Sequence, residues 1–255
     1  MLNTIIKANE RKVPPPKILL YGQEGIGKTL FATQAKNPIF IQTENGFGAR
    51  IPKKDAFPQI TKYDQFLDYL DTLLNESHDY KTVVIDHIDM IEHIMQREEI
   101  VDSNKTSKSR VKTISGAAGG FNRGPEVINN QLLDEVLPRL DALWSDKNMM
   151  IIMLAHCSIE KVTDITGSKY KTYAPSMDAM FSMSLRNWAD CVLFAKMEVG
   201  SQGEERVLYC QPSTTYYAKS RYFDDDVIPL DFEAFRQCIA KSMSNNNQQK
   251  KEEQE

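Results

Sequence analysis

A mostly parallel α/β sheet with helices on both faces is the fold this sequence predicts, and three observations predict it. Short, nearly continuous apolar runs alternate with segments whose apolar residues fall at helical spacing, as parallel strands buried on both faces require. One such run leads into a glycine-rich turn that opens a helix. Another, Lys81 to Asp86 (KTVVID), ends on an acidic residue.

Taken in order, Pro14, Pro15 and Pro16 fit neither a helix interior nor a central strand, so residues 1–16 are expected to form an arm. Residues 17–21 (KILLY) form a first strand, and 29–36 (TLFATQAK) a helix stopped by Asn37-Pro38. Residues 39–42 (IFIQ) form a second strand, closed by Glu44-Asn45-Gly46. Helical spacing of Phe66, Leu67, Leu70, Leu73 and Leu74 predicts a helix over 63–76, before a third strand at 82–85. Helices at 88–101 and 127–144 precede a fourth strand at 149–155. Residues 192–197 and 206–211 read as a hairpin around Gly200 and Gly203. The polar, low-complexity stretch 241–255 is expected to be a disordered tail, leaving 17–240 as the folded domain.

At 41% hydrophobic and 26% charged, the 255-residue chain has an ordinary globular composition, which excludes wholesale disorder. No apolar run approaches the roughly 18 residues of a membrane span, and residues 1–12 lack the apolar stretch of a secretory signal. Cys157, Cys191, Cys210 and Cys238 form no C-x-x-C pair and read as thiols in a reducing compartment. The expected location is therefore the cytoplasm, with no membrane partner. With a net charge of −4, contact with nucleic acid must come from a local basic patch.

Residues 22–29, GQEGIGKT, match G-x-x-x-x-G-K-[ST] in full. Gly22, Gly25 and Gly27 let backbone N–H groups converge on phosphate oxygens, and the helix that follows aims its positive end at the same point. The loop Gly22, Gln23, Glu24, Gly25, Ile26, Gly27, Lys28, Thr29 and Leu30 is thus a binding site for ATP. In it Lys28 reaches the β- and γ-phosphates and Thr29 holds Mg²⁺. Asp86, at the tip of a buried strand, completes the magnesium site. His87 and Asp89 beside it suit a solvent-facing turn as well as chemistry. The base-reading N-K-x-D does not occur, which argues against a GTPase. His87 stands where many motor ATPases carry their catalytic glutamate, so the base must come from elsewhere, and Glu44 is the candidate. His156, at the end of the fourth strand, either approaches the γ-phosphate or is a satisfied histidine under a loop.

GQEGIGKT, IFIQTENG, TVVIDHID, IIMLAHCS and YAKSRY, in this order, resemble the RecA-like core over roughly residues 17–235. The resemblance extends to small phage-encoded nucleotide-binding proteins, minimal annealing recombinases that act beside a single-strand-binding protein. It implies an ATPase acting on single-stranded DNA as a ring or filament, in the host cytoplasm if phage-encoded. It also implies that Lys219 and Arg221 reach a neighbouring subunit's ATP site. RecA-like proteins usually carry Gln where His156 stands.

Two segments offer DNA contacts. Residues 103–125 carry Lys105, Lys108, Arg110, Lys112 and Arg123 with no acidic residue, and Phe121 follows Gly119-Gly120. Such a loop suits a phosphate backbone with a ring for base stacking, or is a solvated hinge. The connection 157–187 adds Lys161, Lys169, Tyr170, Lys171 and Tyr173, while its second half is apolar enough to pack on the core or on a neighbour. Asp224-Asp225-Asp226 reads as a solvated turn. A helicase-type motor, and a nucleotide-dependent switch or adaptor indifferent to DNA, are the rival functions.

Overall fold

The structure, a computed structural model, describes residues 13–44, 48–49, 51–200 and 203–252, with side chains described as far as 245. Its elements follow as β1 (Lys17–Gly22), α1 (Lys28–Thr33), β2 (Pro38–Gln42), β3 (Asp55–Ala56), α2 (Tyr63–Asn75), β4 (Thr82–Asp86) and α3 (Ile88–Thr106). After a 3₁₀ turn at Ile114–Gly116 come α4 (Arg123–Gln131), α5 (Leu137–Ser145), β5 (Met150–Thr163), β6 (Lys169–Pro175) and α6 (Ala179–Trp188). The chain continues through β7 (Cys191–Gly200), β8 (Gly203–Tyr209), β9 (Lys219–Ser220), β10 (Val227–Pro229) and α7 (Phe232–Glu252).

The strands form one sheet in the order β10-β8-β7-β1-β5-β4-β2-β3, with β6 on β5 and β9 on β7. From β7 to β3 neighbouring strands are parallel; β6, β8, β9 and β10 pair antiparallel. Successive residues of β1 serve opposite faces. Leu19 and Tyr21 join Phe66, Leu70, Leu140 and Phe181 under α2, α5 and α6. Ile18 and Leu20 join Phe31, Phe232 and Phe235 under α1 and α7. Burial on both faces explains why these strands are uninterrupted apolar runs. This is the α/β P-loop NTPase fold.

The expected helix over 127–144 is interrupted by a π-helical segment, Leu132–Val136. Pro138 follows it in the first turn of α5. A proline there has no N–H to give residue 134 and its ring presses on that carbonyl, so the chain widens instead of continuing as α-helix. The tail expected to be disordered from 241 is helical through 252, residues 253–255 lying outside the described residues. Its Gln, Lys and Glu residues are strong helix formers and prolong a helix already anchored by Phe232 and Phe235. The proline arm is tied down where it is described: Trp144 Nε1 donates to Pro15 O and the Tyr222 hydroxyl to Pro14 O.

Phe235 is fully buried and meets Phe31 and Phe223 edge-on at 6.0 and 5.6 Å between ring centroids. Phe235→Ala should cost about 3–5 kcal/mol of stability, read as a lower denaturant midpoint. A loss under about 1 kcal/mol would mean that α7 is not part of the core.

Candidate functional site

Register assembles the site. Gly22 pairs with His156 across β1 and β5, Asp86 with Leu154 across β4 and β5, and Gln42 with Asp86 across β2 and β4. Three strand ends and the middle of β5 therefore stand in a row, so that Asp86 and His156 on the strands, and Lys28 and Glu44 just beyond β1 and β2, meet at the edge where α/β sheets bind ligands. Because β5 lies between β1 and β4, His156 sits between the glycine-rich loop and Asp86. Gly22 is required by packing: a Cβ there would come within 2.5 Å of Ala195 O on β7. Gly27, at φ 116°, holds the left-handed conformation that turns the loop into α1.

Lys28 is buried, and its Nζ donates to Gly22 O and Gln23 O at 3.0 Å each. Burial lowers its pKa, opposed mainly by the Asp86 charge. The Thr29 hydroxyl donates to Asp86 Oδ2 at 3.1 Å. Burial pushes Asp86 up to about 6, against the Thr29 hydrogen bond and the Lys28 charge. Its other oxygen, Oδ1, lies 3.1 Å from His87 Nε2 but makes no hydrogen bond. A buried carboxylate oxygen without a partner beside a threonine hydroxyl is a hard-oxygen donor set of the kind Mg²⁺ takes. Thr29 and Asp86 thus fit the cation the sequence predicts.

His87 and Asp89 are buried, so neither belongs to a solvent-facing turn. Asp89 accepts the His156 backbone N–H at 3.2 Å through Oδ1 and contacts His156 Nδ1 at 2.8 Å through Oδ2. A carboxylate only accepts, so the ring hydrogen belongs on Nδ1 and Nε2 is left as the free nitrogen. The same hydrogen bond raises the pKa of His156. His87 is lowered to about 4, first by burial and then by His156, whose ring lies 4.2 Å from its own. Glu44 is open to water, its side chain 59% exposed, with Oε1 3.6 Å from His87 Nδ1.

Lys28, Thr29, Glu44, His87 and His156 share a cavity of about 370 Å³ with Glu24, Gly25, Gly27, Leu30, Ile51 and Arg206. Ile26 of the loop instead turns its side chain into the core. Arg206 was not legible in the sequence. It comes from β8, which carries no motif, and its guanidinium lies 3.4 Å from where a Gly27 Cβ would be. Lys219 and Arg221 do not line the cavity. Lys219 faces Val192 at the start of β7, and Arg221 Nη1 pairs with Asp190 at 3.1 Å.

The basic segments differ in form from a pair of loops. Lys105 lies in the last turn of α3 and pairs with Asp102, since α3 runs five residues past the expected end, from 101 to 106. Lys108, Arg110, Lys112 and Arg123 are exposed, without an ion pair among the described residues. Phe121 stands 98% exposed with φ 54°. The connection after His156 is a β-ribbon, because β5 continues to Thr163 and pairs with β6. Lys161 lies directly across from Lys171, and Thr163 from Lys169. Alternation then puts all three lysines on one face, each exposed. The apolar stretch beyond it forms α6, with Phe181 and Leu185 in the core. Glu92 ties α3 to that helix: both of its oxygens accept the Asp178 N–H at the start of α6, and burial pushes it up to about 7.

Among the described residues no helix is long and apolar enough to cross a membrane. No curated protein matches the chain. Among solved structures it is similar to a KaiC-like protein of the archaeon Pyrococcus horikoshii OT3, at 15% identity over 85% of each chain with a TM-score of 0.44. It is also similar to a RadB recombinase, at 14% identity over 77% of this chain and 80% of the other with a TM-score of 0.43. The model of the AAA domain family matches residues 14–222, most of the sheet and every residue that lines the cavity, and the chain belongs to that family.

Proposed function

We propose that the protein hydrolyses ATP with Mg²⁺ and acts on single-stranded DNA in recombination or annealing. The observation that carries the reading is the convergence of Lys28, Thr29, Glu44 and His156 on one cavity at the strand ends, with Asp86 held to it by the Thr29 hydroxyl. Backbone N–H groups of Gly25 to Thr29 and the Lys28 ammonium hold the phosphates. Mg²⁺ held by Thr29 and Asp86 neutralises charge on the phosphate oxygens when it is bound. Glu44, exposed at the cavity rim, orients a water and takes its proton. His156, fixed by Asp89, offers its free nitrogen towards the γ-phosphate. Lys219 and Arg221, remote from their own cavity, are left to serve a neighbour in a ring or filament.

The ribbon supports DNA as the partner. Like charges directly opposite each other on a strand pair are unfavourable, and Lys161 against Lys171 is such a pair. An anion spanning the two lysines removes the repulsion, and a nucleic-acid backbone supplies anions at regular spacing. Phe121 offers a ring to an unstacked base. Glu92 and Asp89, one turn apart on α3, connect the ribbon's exit at Asp178 with His156.

Binding of a labelled oligothymidine, followed by anisotropy across a salt series, tests the partner. Replacing Lys161, Lys169 and Lys171 together with alanine should weaken binding and flatten the log K against log salt slope by about 2, at roughly 0.7 per phosphate contact. Replacing Lys108, Arg110 and Lys112 should act in the same direction. Unchanged affinity and slope in both variants would remove these segments as the DNA surface.

A further inference from the structure

The cavity holds a second set of donors whose chemistry differs from the oxygen pair of Thr29 and Asp86. One donor atom each from Glu44, His87 and His156 lies within 4.8 Å of the others. Two imidazoles and a carboxylate suit a borderline cation such as Zn²⁺, Co²⁺ or Ni²⁺, not Mg²⁺, which keeps to oxygen. Two further features point the same way. The side chain of His87 is 91% buried, and its Nδ1 has no hydrogen-bond partner although it lies 3.6 Å from Glu44 Oε1. His156 is held through Nδ1 by Asp89, the carboxylate–histidine arrangement that fixes a metal-ligating ring and leaves Nε2 for the ion.

We propose that Glu44, His87 and His156 bind a transition-metal ion of the zinc class in the nucleotide cavity, with a fourth coordination position open to water. Ligands of a tetrahedral zinc stand about 3.4 Å apart at bond lengths near 2.1 Å. The 3.6 Å between Glu44 and His87 is already close to this, and the exposed Glu44 side chain is free to adjust. Occupancy withdraws Glu44 and His156 from the γ-phosphate side, so the ion inhibits hydrolysis. That consequence rests on the ATPase reading; the binding does not.

The test titrates the full-length, nucleotide-free protein with Co²⁺, read by visible absorption, and with Zn²⁺, read by calorimetry. One ion per chain should bind with the spectrum of nitrogen and oxygen ligation. Glu44→Gln, an exposed change that leaves the fold intact, and His156→Gln should each weaken binding at least tenfold, while His93→Ala, an exposed histidine on α3, should not. Equal affinity in the Glu44 and His156 variants, absence of binding, or the near-ultraviolet band of thiolate ligation would overturn the proposal. Because binding is read without ATP, a protein that binds zinc but hydrolyses nothing upholds the site and refutes the ATPase. A protein that hydrolyses ATP but binds no zinc does the reverse.

Discussion

Lys28→Ala should abolish ATP turnover and weaken nucleotide binding, with a combined loss of at least about 100- to 1000-fold in kcat/KM. Lys28 is buried at the glycine-rich loop, held by the carbonyls of Gly22 and Gln23 in a place where burial already disfavours its charge. A charge kept there against that cost has little purpose other than to meet phosphate oxygens, and in so dry a setting each contact is worth far more than in water. Alanine also removes a neighbour that helps keep Asp86 ionised, so the cation site weakens with it. Fluorescent-nucleotide binding and steady-state phosphate release read the two losses separately. Full activity in the variant would remove the phosphate-loop assignment, and with it the reading of the whole cavity.

Glu44→Gln should separate binding from chemistry. The side chain is exposed at the rim and makes no hydrogen bond that anchors a strand, so the amide should leave stability and ATP affinity nearly unchanged. Turnover should fall by about 100- to 10,000-fold, the contribution of a positioned general base. His87 is less well placed to replace it, because its ring is buried while the Glu44 carboxylate stands open to water. An unchanged rate in single-turnover phosphate release would mean that the base is elsewhere in the cavity.

The central strands were legible to within a residue at most of their ends, because parallel strands buried on both faces have no option but unbroken apolar sequence. The far end of β7, at Gly200 and not 197, and that of β5 are the exceptions. From Ser158 the residues of β5 alternate in exposure on a projecting ribbon, and the mixed polar and apolar stretch from 157 reads as a connection. β3, β9 and β10 span two or three residues, too few for any period to show. The phosphate loop and Asp86 were legible because their chemistry depends on local spacing and a strand end. The Asp89–His156 pair was not, since 67 residues separate its members and only the β4–β5 register brings them together. Arg206 was hidden for the same reason: the antiparallel extension through β8, and not any motif, carries it over Gly27.

The measurement that tests the account most directly is steady-state phosphate release from ATP with Mg²⁺ at low salt, run without DNA, with single strands and with duplex, against Lys28→Ala as the blank. Turnover should exceed the blank and rise with single strands, and less, or not at all, with duplex. A rate no higher than the blank would contradict hydrolysis at this cavity. Turnover indifferent to every DNA would contradict single-stranded DNA as the partner, and would favour a nucleotide switch that answers to protein.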